Sequence, residues 1–145
     1  MDFLSQSILA IDLALFVLIL LVQLIIYPSF QYIQVERFRG WHESYCKRIG
    51  CLVVPLMSLQ LVGSIVMLLR QAIALTVLKF LAVLATWLLT LLVMVPLHQQ
   101  LRLGWNLQQI RKLVRLNWLR TFAWGLILAD SLVMVVSNPL FSSQP

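Results

Sequence analysis

Four apolar runs, at residues 13–33, 49–69, 80–97 and 118–136, constrain this chain more than any other feature of it. Each has about the 20 residues that a helix rising ~1.5 Å per residue needs to cross a hydrocarbon core of ~30 Å; the third gains length by starting nearer Ala72 if it is tilted. A bilayer interior holds no water to satisfy exposed N–H and C=O groups, so such runs cross it as helices. Composition supports the same reading. Of the 145 residues 61% are hydrophobic and 11% charged, whereas a soluble domain carries about 25% charged residues. Too few polar side chains remain to cover a globule in water, which excludes a freely soluble enzyme or a nucleic-acid binder. The predicted fold is all-α, one transmembrane domain over residues 1–145 organised as a four-helix bundle. The lipid bilayer is its first partner.

The first run has no Lys or Arg ahead of it, only Asp2 and Asp12, and no small-residue cleavage site follows. It therefore reads as a retained helix rather than a secretory leader. The eleven Lys and Arg against five Asp and Glu give a net charge of +6. Sorted by position, Arg37, Arg39, Lys47 and Arg48 fall in the first connection, and Arg102, Arg111, Lys112, Arg115 and Arg120 in or just after the third. Only Arg70 and Lys79 lie on the opposite side. Basic residues mark the cytoplasmic loops of multi-pass proteins, so both basic connections are expected in the cytoplasm and both termini on the non-cytoplasmic side of an inner (plasma) membrane.

Residues 106–118 place Leu107, Ile110, Val114 and Trp118 on one face, and Gln108, Arg111, Lys112 and Arg115 on the other. That 3.6-residue period with a basic polar face predicts an interfacial amphipathic helix between the third and fourth spans, serving lipid or a protein partner. Trp41 and Trp105 are placed as interfacial anchors. The chain also echoes itself. Gly40-Trp41 precedes Lys47-Arg48 as Gly104-Trp105 precedes Arg111-Lys112, and Pro28 with Gln31 matches Pro96 with Gln99. A tandem of helical hairpins is one reading of this, and convergent interface chemistry is another.

Polar residues are the informative ones in such a chain, because lipid-facing positions carry them only at high cost. Gln23, Tyr27, Gln31 and Gln34 form a stripe on the first span; Pro28, within it, frees the Leu24 carbonyl. Pro55, Gln60 and Ser64 lie on the second, and Ala82, Thr86 and Thr90 on the third. Gly125 and Ala129 on the fourth suit close packing. Asp12 and Asp130 lie toward the outer ends, where Asp130 is a candidate for a proton relay or for pairing with Lys79 or Arg70.

The chain's two histidines, His42 and His98, both fall at the basic end. With Tyr45, Asn117, Arg120, Thr121 and Gln31 they make the candidate ligand-binding set: a polar pocket with Arg120 as anion clamp and a histidine as proton donor or acceptor. The expected ligand is a lipid-like or anionic small molecule. An enzyme or redox protein is the alternative, with His42 and His98 as axial ligands of a b-type haem or as acid–base groups. A resident metal is not expected. Two histidines do not complete a tetrahedral site, and Glu43 diverges from His42 by about 100° on a helix. Cys46 and Cys51 lack the Cys-x-x-Cys spacing of a disulfide oxidase and read as buried spectators. A homo-oligomer or a membrane partner is compatible with all of this.

Tyr27-Pro28-Ser29-Phe30, Trp41-His42-x-x-Tyr45, Val54-Pro55-Leu56-Met57, Pro96-Leu97-His98-x-x-Leu101 and Asn117-Trp118-x-Arg120-Thr121-x-x-Trp124 resemble motifs of small bacterial four-helix inner-membrane proteins of unknown function. The resemblance covers most of the chain and implies no reaction. Its matching polar positions are His42, Tyr45, His98, Asn117 and Arg120. Separately, Glu36-Arg37-Phe38-Arg39-x-x-His42 is similar to the motif opening the second helix of the membrane-associated eicosanoid and glutathione metabolism family. That likeness implies trimers binding glutathione at the cytoplasmic helix ends. Here Glu43-Ser44-Tyr45 stands where the family has an asparagine and a second acidic residue, and the third span lacks the family's arginine motif.

Overall fold

The computed structural model describes residues 3–136. Asp2 and the tail from 137 to 145, on which the reading of the leader and of the termini partly rests, lie outside the described residues. Four helices account for the fold: α1 (Phe3–Tyr32), α2 (Val35–Arg70), α3 (Ala74–Leu101) and α4 (Leu107–Val136), each long and apolar enough to cross a membrane. The chain is all-α, with no strand among the described residues. Connections of two, three and five residues join consecutive helices, and loops that short make sequence neighbours antiparallel. α1 packs on α2 and α4, and α3 packs on α2 and α4, closing an up-down-up-down ring. In the last loop Gly104 has φ +152°, a conformation that a side chain would strain.

Every helix outruns its apolar core. α1 begins ten residues earlier than its hydropathy suggests because Asp12, which interrupts the apolar run, is neutralised inside the bundle. Its carboxylate pairs with Lys79 Nζ at 2.7 Å and accepts from Gln60 Nε2 at 2.7 Å and from Ser131 Oγ at 2.5 Å. Lys79 Nζ also donates to Ser131 Oγ. Four helices thus meet at one carboxylate. Lys79 is therefore the partner of Asp12 and not of Asp130, whose Oδ2 has no hydrogen bond among the described residues. α2 begins at Val35 with Glu36 in its first turn, a charge that favours a helix N-terminus. The basic residues 37–48 thus ride on helix rather than in a loop.

Residues 107–118 are helical, but as the first turns of α4 rather than as a separate interfacial element. Asn106 Oδ1 caps them by accepting from Gln109 N–H at 3.1 Å. Their inward face is turned from the expected one: Ile110 and Leu113 sit in the same core as Phe30, Leu97 and Leu101, Leu107 and Val114 are half-buried, Trp118 is exposed, and Arg111, Lys112 and Arg115 stay exposed. Burying that face against protein removes any reason for the helix to break at 118. Gly125 lets α4 approach α1, since a Cβ there would touch Phe16 at 3.4 Å, but Ala129 is exposed and takes no part in that packing face.

The prolines of the internal echo share a backbone device. A wide, π-type turn spans Val22–Ile26 immediately before Tyr27-Pro28, and another spans Thr90–Met94 immediately before Val95-Pro96. In each the residue before proline donates its N–H five positions back, to the Val22 or the Thr90 carbonyl. Proline lacks an N–H and its ring crowds the carbonyl four residues back; a widened turn gives that carbonyl room without breaking the helix. The echo thus extends from sequence to backbone geometry at equivalent positions.

Candidate functional site

The widened turns aim side chains into the basic half of the bundle. After its wide turn α1 presents Tyr27 inward, and α3, two residues past Pro96, presents His98. α2 contributes His42 and, one helical turn on, Cys46. Tyr27 Oη lies 3.0 Å from His98 Nε2, and His98 Nδ1 lies 3.0 Å from His42 Nε2. Cys46 Sγ approaches His42 Nε2 at 3.6 Å and His98 Nδ1 at 3.7 Å. The imidazoles stack with centroids 5.2 Å apart. Phe38 stacks on His42 at 5.4 Å, and Phe30 meets the same ring edge-on at 5.6 Å. Tyr45 stacks on Trp41 at 5.7 Å and leans toward both imidazoles. His42 and Phe38 are fully buried.

This cluster forms one wall of a cavity of about 250 Å³. Its polar end holds Tyr27, Tyr45, Cys46, His98, Arg102 and Arg120. Its apolar length is lined by Leu15, Ile19, Val22, Ile49, Val53 and Met94. The rim residues Val54, Val95, Gln99 and Arg102 are exposed, so the cavity reaches the bundle surface beside α2 and α3.

Arg120 is the unusual member. It is 5% exposed and does not snorkel to the surface. Its Nη1 donates to Asn117 Oδ1 at 3.1 Å, its guanidinium lies 4.9 Å above the Trp124 ring, and its Nε is buried without a hydrogen bond. No carboxylate of a described residue pairs with it; the buried acid, Asp12, is held by Lys79. Trp124 Nε1 donates to Gln60 Oε1 at 3.1 Å, so a polar seam joins the Asp12–Lys79 pair to the cavity through Gln60, Trp124 and Arg120.

Of the residues expected from sequence, His42, Tyr45, His98 and Arg120 are brought together. Asn117 and Thr121 serve them from behind. Asn117 Nδ2 donates to Gln23 Oε1 at 2.8 Å, and Thr121 Oγ1 donates to the Asn117 carbonyl at 3.1 Å. Gln31 is exposed and lines no part of the cavity. The wide turn and the tight 3₁₀ turn at Phe30–Tyr32 change the helical pitch, so the stripe from Gln23 through Tyr27 does not continue to Gln31 and Gln34. Cys46 is no spectator, since it touches both histidines, and Cys51 is exposed rather than buried. Glu43 turns outward to Lys47 at 3.0 Å.

Tyr27, Cys46 and Arg102 are the polar site residues that the sequence reading left out. The missed signal is His42-x-x-x-Cys46, a spacing that stacks two side chains on one helix face. In this arrangement the two histidines are in direct hydrogen-bond contact at 3.0 Å, with no porphyrin-wide gap between their nitrogens. No family model, no curated protein and no solved structure matches this chain.

Proposed function

We propose that this protein is an integral inner-membrane bundle that binds an amphiphile with an anionic head, the head on Arg120 and the tail along the apolar cavity. The observation that carries the reading is Arg120: a buried guanidinium with no carboxylate partner among the described residues, at the polar end of an apolar cavity. Taking an isolated charge out of water costs several kcal/mol even after relaxation, and an anion in the cavity would offset that cost. Arg102, Tyr45 and His98 offer further contacts to the same head. The exposed rim leaves room for a chain longer than the cavity to continue into lipid.

The orientation follows from charge. Only Arg70 and Lys79, the latter in its buried pair with Asp12, lie at the far end, against nine basic residues at the other. That asymmetry supports a cavity head on the cytoplasmic side and both termini outside. An accessory role, alone, as a homo-oligomer or beside a membrane partner, suits a bundle of this size.

A fluorescent medium-chain fatty acid and its alcohol counterpart test the reading on the detergent-purified protein. Saturable binding of the acid, one per chain, is expected, with Arg120→Gln weakening it at least ~10-fold, about 1.4 kcal/mol. The alcohol should bind wild type and variant alike. Equal affinity of the acid for wild type and Arg120→Gln would remove Arg120 as the anion clamp. A second reading has its own observation: the Tyr27–His98–His42 chain is a path along which a proton can move to or from a bound molecule, the arrangement acid–base catalysis uses.

A further inference from the structure

The geometry points to a metal site at His42, Cys46 and His98, built for a zinc-class, thiophilic cation and separate from the amphiphile reading, since it needs no bound amphiphile. The three donor atoms are His42 Nε2, His98 Nδ1 and Cys46 Sγ, with separations of 3.0, 3.6 and 3.7 Å. A point equidistant from all three lies about 2.0 Å from each, against Zn–N bonds of ~2.0–2.1 Å and Zn–S bonds of ~2.3 Å. Little displacement is needed. The imidazoles give up their mutual hydrogen bond and turn their lone pairs onto the ion.

Donor chemistry narrows the ion. Two imidazoles and a thiolate are poor ligands for Mg²⁺ and Ca²⁺, which take oxygen, and good ones for Zn²⁺. His42 and Cys46 lie one turn apart on α2, so a single helix face presents two ligands, and α3 supplies the third. Tyr27 is the outer partner: with His98 Nε2–H donating to its phenol oxygen, at 3.0 Å, the Nδ1 lone pair is left for the ion. Phe30 and Phe38 hold the His42 ring in place. Three protein ligands leave a fourth position, and Cys46 and His98 line the cavity, so that position opens toward it. Binding forms one Zn–S and two Zn–N bonds and releases the Cys46 thiol proton to solvent. An occupied site replaces the proton path through His42 and His98 with a ligand set.

Cobalt(II) alone is the probe, titrated into the full-length protein purified in detergent without a polyhistidine tag. One Co²⁺ per chain is expected, with a thiolate-to-cobalt charge-transfer band in the near ultraviolet that added Zn²⁺ abolishes. Cys46→Ser, close to isosteric, should lose the band, and Tyr27→Phe should weaken binding ~10-fold through the outer shell. Cys51→Ser should leave both untouched. No charge-transfer band in the wild type, or a band that survives Cys46→Ser, overturns the site. Because the titration contains no fatty acid, its failure leaves the Arg120 reading standing, and failure of that reading leaves this one standing.

Discussion

Asp12→Asn should destabilise the folded bundle by about 3–5 kcal/mol, measured as unfolding in detergent by thermal or denaturant titration. Lys79 is 2% exposed, and its carboxylate partner is Asp12. Without that carboxylate an ammonium stays buried and uncompensated, which costs far more than a lost hydrogen bond. Ser131→Ala, which removes only a hydroxyl from the same carboxylate, should cost about 1 kcal/mol or less, the range of interhelical hydrogen bonds in membranes. The charge therefore dominates the hydrogen bonds at this junction. Replacing both partners, Asp12→Asn with Lys79→Met, should recover most of the loss, because the unpaired charge is then gone. A double variant as unstable as Asp12→Asn alone would show that the junction is held by something other than its ion pair.

The second large effect concerns the cavity. Gly50 lines it, and a Cβ added there meets nothing within 4 Å. Gly50→Ala should keep fatty-acid binding and stabilise α2 by up to about 1 kcal/mol, since glycine inside a helix loses more backbone entropy than alanine. Gly50→Trp should fold but fill the cavity, cutting affinity for the acid by at least ~10-fold, about 1.4 kcal/mol. If Gly50→Trp binds as tightly as wild type, the ligand sits elsewhere.

Much of the architecture was legible in the sequence because hydropathy and length alone decide that four helices form. Their ends were less legible. Hydropathy reads Asp12 as a break, and only its pairing with Lys79, 67 residues away, lets α1 run on to Phe3. The basic face of 107–118 reads the same whether the apolar side meets lipid or protein; the structure buries Ile110 and Leu113 in the bundle and leaves Trp118 facing outward, so the expected face is only partly the packing face. At the site, His42, Tyr45, His98 and Arg120 stood out because polar residues are costly in such a chain. Tyr27 was visible in its stripe but not as a neighbour of His98. That contact depends on two widened turns, and a constant 100° step per residue does not anticipate them. Gln31 was misplaced for the same reason. Cys46 was measured against Cys51, when its informative distance was to His42.

A fatty acid carrying a diazirine in its chain records where the tail lies. Irradiated with the purified protein and mapped by peptide mass spectrometry, it should label cavity residues such as Ile49, Val53 and Met94, with labelling suppressed by excess unlabelled acid and by Gly50→Trp. Labelling confined to outward residues such as Leu92 and Leu126, which are 70% and 69% exposed, and indifferent to competitor, would contradict a binding site inside the bundle.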